Sequence, residues 1–156
     1  MALDDDVAKL SRNPVFAPLS ADALRLLAFS AETRPLRAGD VLFRRDEPST
    51  CGFLILTGSI ALDSAGDGAA SRILRPPALI GEIALLTTTT RPATAIAREP
   101  SSVLRITQPM FRRVLSEYPE SAERLRRALA SRIDGFIDEL ERAWNRPAGA
   151  PDAQGW

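Results

Sequence analysis

The sequence predicts a mainly β domain, a sandwich or barrel, with helices flanking it in an α+β arrangement. Three observations carry that expectation. Between residues 32 and 107, short runs of strand character recur at near-regular intervals, broken by Gly and Pro. On either side the texture changes to apolar residues at helical spacing. At 156 residues, with 45% hydrophobic residues, the chain is one domain in size and long enough to bury a real core.

The elements follow in order. Residues 4–11 form a short amphipathic turn with Val7 and Leu10 on one side, and Pro14 and Pro18 then interrupt. Ser20 is a good N-cap for a helix running to about residue 30, in which Leu24, Leu27 and Ala28 share a face. Strands are expected at 32–37, 41–44, 53–57, 59–63, 70–75, 93–98 and 102–107. Ala38-Gly39-Asp40 and Gly58 mark turns, and Ala65-Gly66-Asp67-Gly68 marks a hairpin tip. Gln108-Pro109-Met110-Phe111 opens a helix with Pro in its first turn, and Pro119 ends it. Residues 121–144 then read as one helix, roughly 36 Å long at about 1.5 Å per residue. Leu125, Leu129, Ile133, Phe136, Ile137, Leu140 and Trp144 recur along it at spacings of three and four. That stripe is long for a helix that only closes a barrel. A second copy of the same helix is the simplest partner, giving a homodimer; folding back onto the barrel is the alternative. Residues 145–156, rich in Pro, Gly and Ala, read as a disordered tail.

Composition excludes several functions. The net charge is zero, so there is no basic footprint for nucleic acid. There is no His and a single Cys, Cys51, which removes the commonest general base, His/Cys metal clusters and any intramolecular disulfide. No catalytic constellation is assembled, so no enzyme, no metal and no cofactor are expected. No apolar run approaches the roughly 20 residues of a membrane helix, and the acidic start, with Asp4, Asp5 and Asp6, is not a signal peptide. A cytoplasmic protein without membrane association is expected.

One stretch carries candidate chemistry: Gly81-Glu82-Ile83-Ala84-Leu85-Leu86, then Thr87 to Thr90, then Arg91-Pro92-Ala93-Thr94-Ala95. It reads as a short turn of helix opened by a Gly, which permits close backbone approach. A helix start offers free amides and a positive dipole end to an anion. Arg91 adds a planar cation suited to phosphate. Glu82 would repel that anion and so requires a different partner, such as a hydroxyl. A nucleotide sugar-phosphate satisfies all of these groups together.

This stretch resembles the phosphate-binding cassette of the cyclic nucleotide-binding domain family. Two looser matches precede it, Leu36-Arg37-Ala38-Gly39-Asp40-Val41-Leu42-Phe43 and Phe53-Leu54-Ile55-Leu56-Thr57-Gly58-Ser59-Ile60. The resemblance covers roughly residues 13–144, with a β-roll over about 32–107 and C-terminal helices over about 108–144; residues 1–12 precede it. It implies a jelly-roll barrel with the cassette at its mouth. It also implies that Arg91 pairs with a cyclic phosphate, that Glu82 takes the ribose 2′-hydroxyl, and that Gly81 lies beside the sugar. The backbones of Ile83 and Ala84 would offer amides, and Pro92, Ala93 and Thr94 would line the exit of the loop. By its place on the long helix, Phe136 is a candidate lid over the base, or else part of the core or a dimer seam.

There are departures. Pro92 has no amide, and one hydrogen bond to a charged group is worth about 1.5–3 kcal/mol. Pro92 also lacks the hydroxyl that kinase-type cGMP sites use, which tilts the ligand toward cAMP, with cGMP possible. Where the family usually has Gly, this chain has Asp46, which tolerates positive φ better than most residues. Too few residues follow the long helix for the DNA-binding domain of the catabolite activator type. The expectation is a stand-alone cyclic nucleotide sensor that signals through its C-terminal helices, with an effector protein, dimerisation itself or an output encoded elsewhere as the receiver. The alternative is a protein-interaction or dimerisation module whose pocket no longer binds.

Overall fold

The computed structural model describes residues 2–65 and 72–144. The sequence expectations for the hairpin tip at 66–68 and for the tail at 145–156 therefore lie outside the described residues. Helices α1 (Ala2–Arg12) and α2 (Ala21–Ser30) lead into β1 (Glu32–Leu36), β2 (Val41–Phe43), β3 (Pro48–Ser49), β4 (Cys51–Thr57), β5 (Ile60–Asp63), β6 (Arg72–Leu74) and β7 (Leu79–Ile80). A 3-10 turn, Glu82–Leu85, follows. After it come β8 (Thr89–Thr90), β9 (Thr94–Ala97), β10 (Ser101–Thr107), α3 (Gln108–Glu117) and α4 (Pro119–Trp144).

The strands form two four-stranded antiparallel sheets, ordered β1-β10-β4-β7 and β2-β9-β5-β6, with a two-stranded ribbon β3-β8 beside them. Two cores share the first sheet. Leu54 and Leu56 of β4 and Leu104 and Ile106 of β10 pack against Leu10, Phe16, Leu24, Leu27, Phe111 and Val114 of the helices and their connections. Phe53 and Ile55 of β4 and Val103 of β10 point the other way, into a second core with Phe43, Ile60, Ile80 and Ala95. A strand covered on both faces reads as an unbroken apolar run rather than an alternation, as Cys51–Leu56 does. The architecture is therefore the β-roll with flanking helices that the sequence predicts. The three two-residue strands β3, β7 and β8 escape sequence reading because no periodicity fits in two residues.

The helix starts follow from local chemistry. Ser20 caps α2 by accepting from the Ala23 amide at 3.1 Å. Thr107 caps α3, with Pro109 in the first turn. Pro119 does end α3, and it is also the first residue of α4, so that helix begins two residues before the expected Ser121. Ser121 is buried and accepts from the Ser20 amide at 2.9 Å, while Arg124 Nε donates to the Pro18 carbonyl at 2.8 Å. These bonds tie the start of α4 to the start of α2. The apolar stripe of α4 divides along its length. Leu125 is buried and Leu129 packs against the helical core, whereas Ile137 is 44% exposed.

Gly58, at φ +85°, makes the turn between β4 and β5. A Cβ there would collide with the Ser101 side chain and approach the Ser101 Cα to 2.7 Å. Gly58→Ala is expected to lower stability by about 2–4 kcal/mol, from left-handed backbone strain and overpacking together. Urea unfolding measures this, and a loss below about 1 kcal/mol would contradict it.

Candidate functional site

The cassette begins where β7 leaves the first sheet. Gly81 sits in the left-handed region, at φ +81° and ψ 40°, and turns the chain into Glu82–Leu85. Ala84 and Leu85 bury against the core, while Glu82 and Ile83 face outward. The turn lies directly on β4. A Cβ added to Gly52 would stand 3.3 Å from both the Gly81 carbonyl oxygen and the Leu85 Cδ2. The Ala84 amide donates to the Gly81 carbonyl at 3.0 Å, so it is not offered to a ligand as the sequence suggested. A 3-10 turn closes its first hydrogen bond at the fourth residue, one position earlier than an α-helix does. The Ile83 amide comes before that bond and has no acceptor within the turn.

Arg91 is the centre of the site. Its backbone is fixed on both sides. The Arg91 amide donates to the Glu47 carbonyl and the Asp46 amide donates to the Arg91 carbonyl, each at 2.9 Å. Asp46 accommodates this with φ +71°, a positive φ that Asp tolerates better than most residues. The side chain is only 4% exposed. Its guanidinium carbon lies 4.1 Å from the Phe43 ring centroid and 5.5 Å from that of Phe53. Nη2 donates to the Cys51 carbonyl at 2.8 Å and lies 3.5 Å from the Cys51 Sγ. Nη1 runs beneath Gly81, where a Cβ would come within 2.5 Å of it. Nε is buried and has no hydrogen-bond partner. Among the described residues, none of the carboxylates lies within 4 Å of this guanidinium. Burial pushes Arg91 below the usual arginine range, while Cys51 and the charge of Glu47 act in the opposite direction.

Arg91 opens onto a cavity of about 750 Å³. The cassette forms one wall, with Ile80, Gly81, Glu82, Ile83 and Ala84, and continues into Arg91, Pro92 and Ala93. The ribbon supplies Ser49, Thr89 and Thr90. Phe43, Leu62, Leu74 and Arg72 of the second sheet close the far side. The cavity thus gathers seven of the nine residues singled out in the sequence. Thr94 is not among its lining residues; its Oγ1 accepts from the Arg45 amide at 3.0 Å and holds the β2–β3 loop to β9. Phe136 falls within α4, and its side chain lies outside those described. Sequence reasoning missed Ser49, Phe43, Arg72, Leu62 and Leu74 as wall residues. They come from strands far apart in the chain, and only the sheet order brings them together.

A model of the cyclic nucleotide-binding domain matches residues 33–118, more than half of the chain. The chain belongs to the cyclic nucleotide-binding domain family. Its fold is shared with a cyclic nucleotide-binding-like protein from Brucella abortus bv. 1 str. 9-941, at 41% identity and a TM-score of 0.68, covering 72% of this chain and 99% of that one. The N-terminal domain of a transcriptional regulator from Streptomyces coelicolor A3(2) superposes with a TM-score of 0.78 at 30% identity, covering 85% of this chain and 94% of that one. Among curated proteins, the acetyltransferase Pat of Mycolicibacterium smegmatis is 34% identical over 137 residues, which is 85% of this chain and 40% of that protein. The chain spans between 8% and 40% of the length of the curated relatives it matches. Among the described residues, no helix is long and apolar enough to cross a membrane.

A buried guanidinium with no carboxylate within 4 Å among the described residues is an electrostatic cost to the ligand-free fold. Arg91→Met, which keeps bulk and removes charge, is expected to leave the ligand-free protein within about 1 kcal/mol of the parent or to stabilise it. A loss beyond about 2 kcal/mol in chemical unfolding would make Arg91 a structural residue rather than a binding one.

Proposed function

We propose that the chain is a regulatory domain that binds a cyclic nucleotide, most favourably cAMP, in this cavity. The carrying observation is Arg91, a buried cation on the cavity wall with, among the described residues, an unpartnered Nε and no carboxylate within 4 Å. A charge in that position calls for a bound anion. A cyclic phosphate at Arg91 sets the sugar against Gly81, where the absence of a side chain leaves room, and the ribose 2′-hydroxyl toward Glu82. The cavity volume is in the usual range for small-ligand sites, about 300–1,000 Å³. Leu62 and Leu74 give the base an apolar wall. Pro92 lines the cavity without an amide or hydroxyl for guanine, which favours cAMP over cGMP.

The output is regulatory rather than catalytic and runs through the C-terminal helices. Gln108, the first residue of α3, donates from Nε2 to the Ala84 carbonyl at 3.3 Å, and Leu85 belongs to the helical core. A ligand that moves the 3-10 turn therefore moves groups that α3 and α4 pack upon. The coupling requires different ligand affinity for two helix arrangements. Residues 121–144 are the surface proposed for a second copy of the chain or an effector protein, with Ile137 still exposed on it.

Calorimetric titration with cAMP and cGMP tests the site. Binding is expected for the parent, tighter for cAMP, and weakened about a hundredfold or more in Arg91→Ala. The nucleotide should be recovered chemically unchanged. If the parent gives no heat and no thermal shift with either nucleotide, the chain is the interaction module with a silent pocket that Pro92 also fits.

A further inference from the structure

The buried polar side chains of the described residues separate into two groups. Asn13 bonds the Pro77 carbonyl and the Val15 amide. Ser59 donates to Glu99, Ser101 donates to the Glu99 carbonyl, and Ser121 accepts from Ser20. Asp63 also has its interaction. Arg91 Nε is the buried side-chain atom left without a partner, and Ser49 enters none of these side-chain bonds; both residues line the same cavity. Ser49 is 1% exposed, and its hydroxyl has no hydrogen-bond partner among the described residues. A hydroxyl on a cavity wall that enters no side-chain bond within the chain can donate to a group bound in the cavity.

The ribbon register places the two groups together. Ser49 faces Thr89, Pro48 faces Thr90, and the amide bond from Arg91 to Glu47 continues the ladder. Ser49 and Arg91 are thus diagonal neighbours on one face of the ribbon, roughly 7 Å apart at Cα. One tetrahedral anion can bridge side chains at that separation. Arg91 supplies charge, and Ser49 supplies a neutral donor beside it. The next residue, Pro92, supplies none.

We infer that Ser49 is a ligand-binding residue of this site, its Oγ–H donating to the same phosphate that Arg91 holds, in place of the amide that Pro92 lacks. The inference rests on the reading of the cavity as a cyclic nucleotide site. The parent, Ser49→Ala and Arg91→Ala proteins are titrated with cAMP and with its two phosphorothioate diastereomers, each of which carries sulfur at one exocyclic phosphate position. Thermal unfolding of the ligand-free proteins is followed alongside. Ser49→Ala is expected to raise Kd for cAMP about tenfold or more. Its ligand-free melting temperature should stay level or rise, because the hydroxyl removed has no partner. One diastereomer, with sulfur facing Ser49, should bind the parent and Ser49→Ala nearly alike. Equal cAMP affinity in parent and Ser49→Ala, with binding lost in Arg91→Ala, overturns the Ser49 assignment and leaves the nucleotide site standing. A fall in ligand-free melting temperature at unchanged Kd also overturns it, by making Ser49 structural. No binding by the parent overturns the nucleotide reading and the Ser49 assignment together.

Discussion

The burial of the Arg91 guanidinium is the constraint around which the site is built. Moving an arginine out of water costs several kcal/mol even after relaxation. The ring faces of Phe43 and Phe53 return about 0.5–2 kcal/mol, and the bond to the Cys51 carbonyl about 1.5–3. Those terms hold the side chain in place without satisfying Nε. The surrounding backbone conformations serve the same end. Gly81 lacks the Cβ that would strike Nη1, and Asp46 adopts a positive φ that lets its amide reach the Arg91 carbonyl.

The first sheet connects that site to the helices. β4 sends Phe53 toward Arg91 and Leu54 toward Phe111, so one strand belongs to both cores. The 3-10 turn repeats this over four residues, with Leu85 in the helical core and Ile83 at the cavity. Close-packed interiors transmit small displacements because no slack volume absorbs them. The hydrogen bond from Gln108 to the Ala84 carbonyl adds a directional link at the start of α3.

The fold was largely legible in the sequence because its signals are local. Ser20, Gly58, Pro109 and Pro119 each act within a few residues, and strands of four residues or more show their apolar character directly. The cassette was legible for the same reason, as Gly81 to Ala93 form one contiguous segment. What was not legible depends on pairing. Ser49 is unremarkable until the ribbon register sets it diagonal to Arg91, and Leu62 and Leu74 are ordinary strand residues until sheet order turns them to the cavity. The Ala84 amide was misassigned because sequence does not distinguish a 3-10 turn from the first turn of an α-helix.

The close approach of Gly52 and Gly81 makes one part of the cavity wall tighter than the other. Backbone lies close to backbone there, and a Cβ added at Gly52 would make the Gly81 carbonyl and the Leu85 side chain give way by a few tenths of an ångström. The opposite wall is lined by Leu62, Leu74 and Arg72. Leu62 and Leu74 are half-buried and pack against the edge of the second core, while Arg72 is exposed. Variation in those second-sheet residues reshapes that wall while the turn at Gly81 keeps its place on β4. The same division tells a protein engineer where to place a library and where to leave the chain alone.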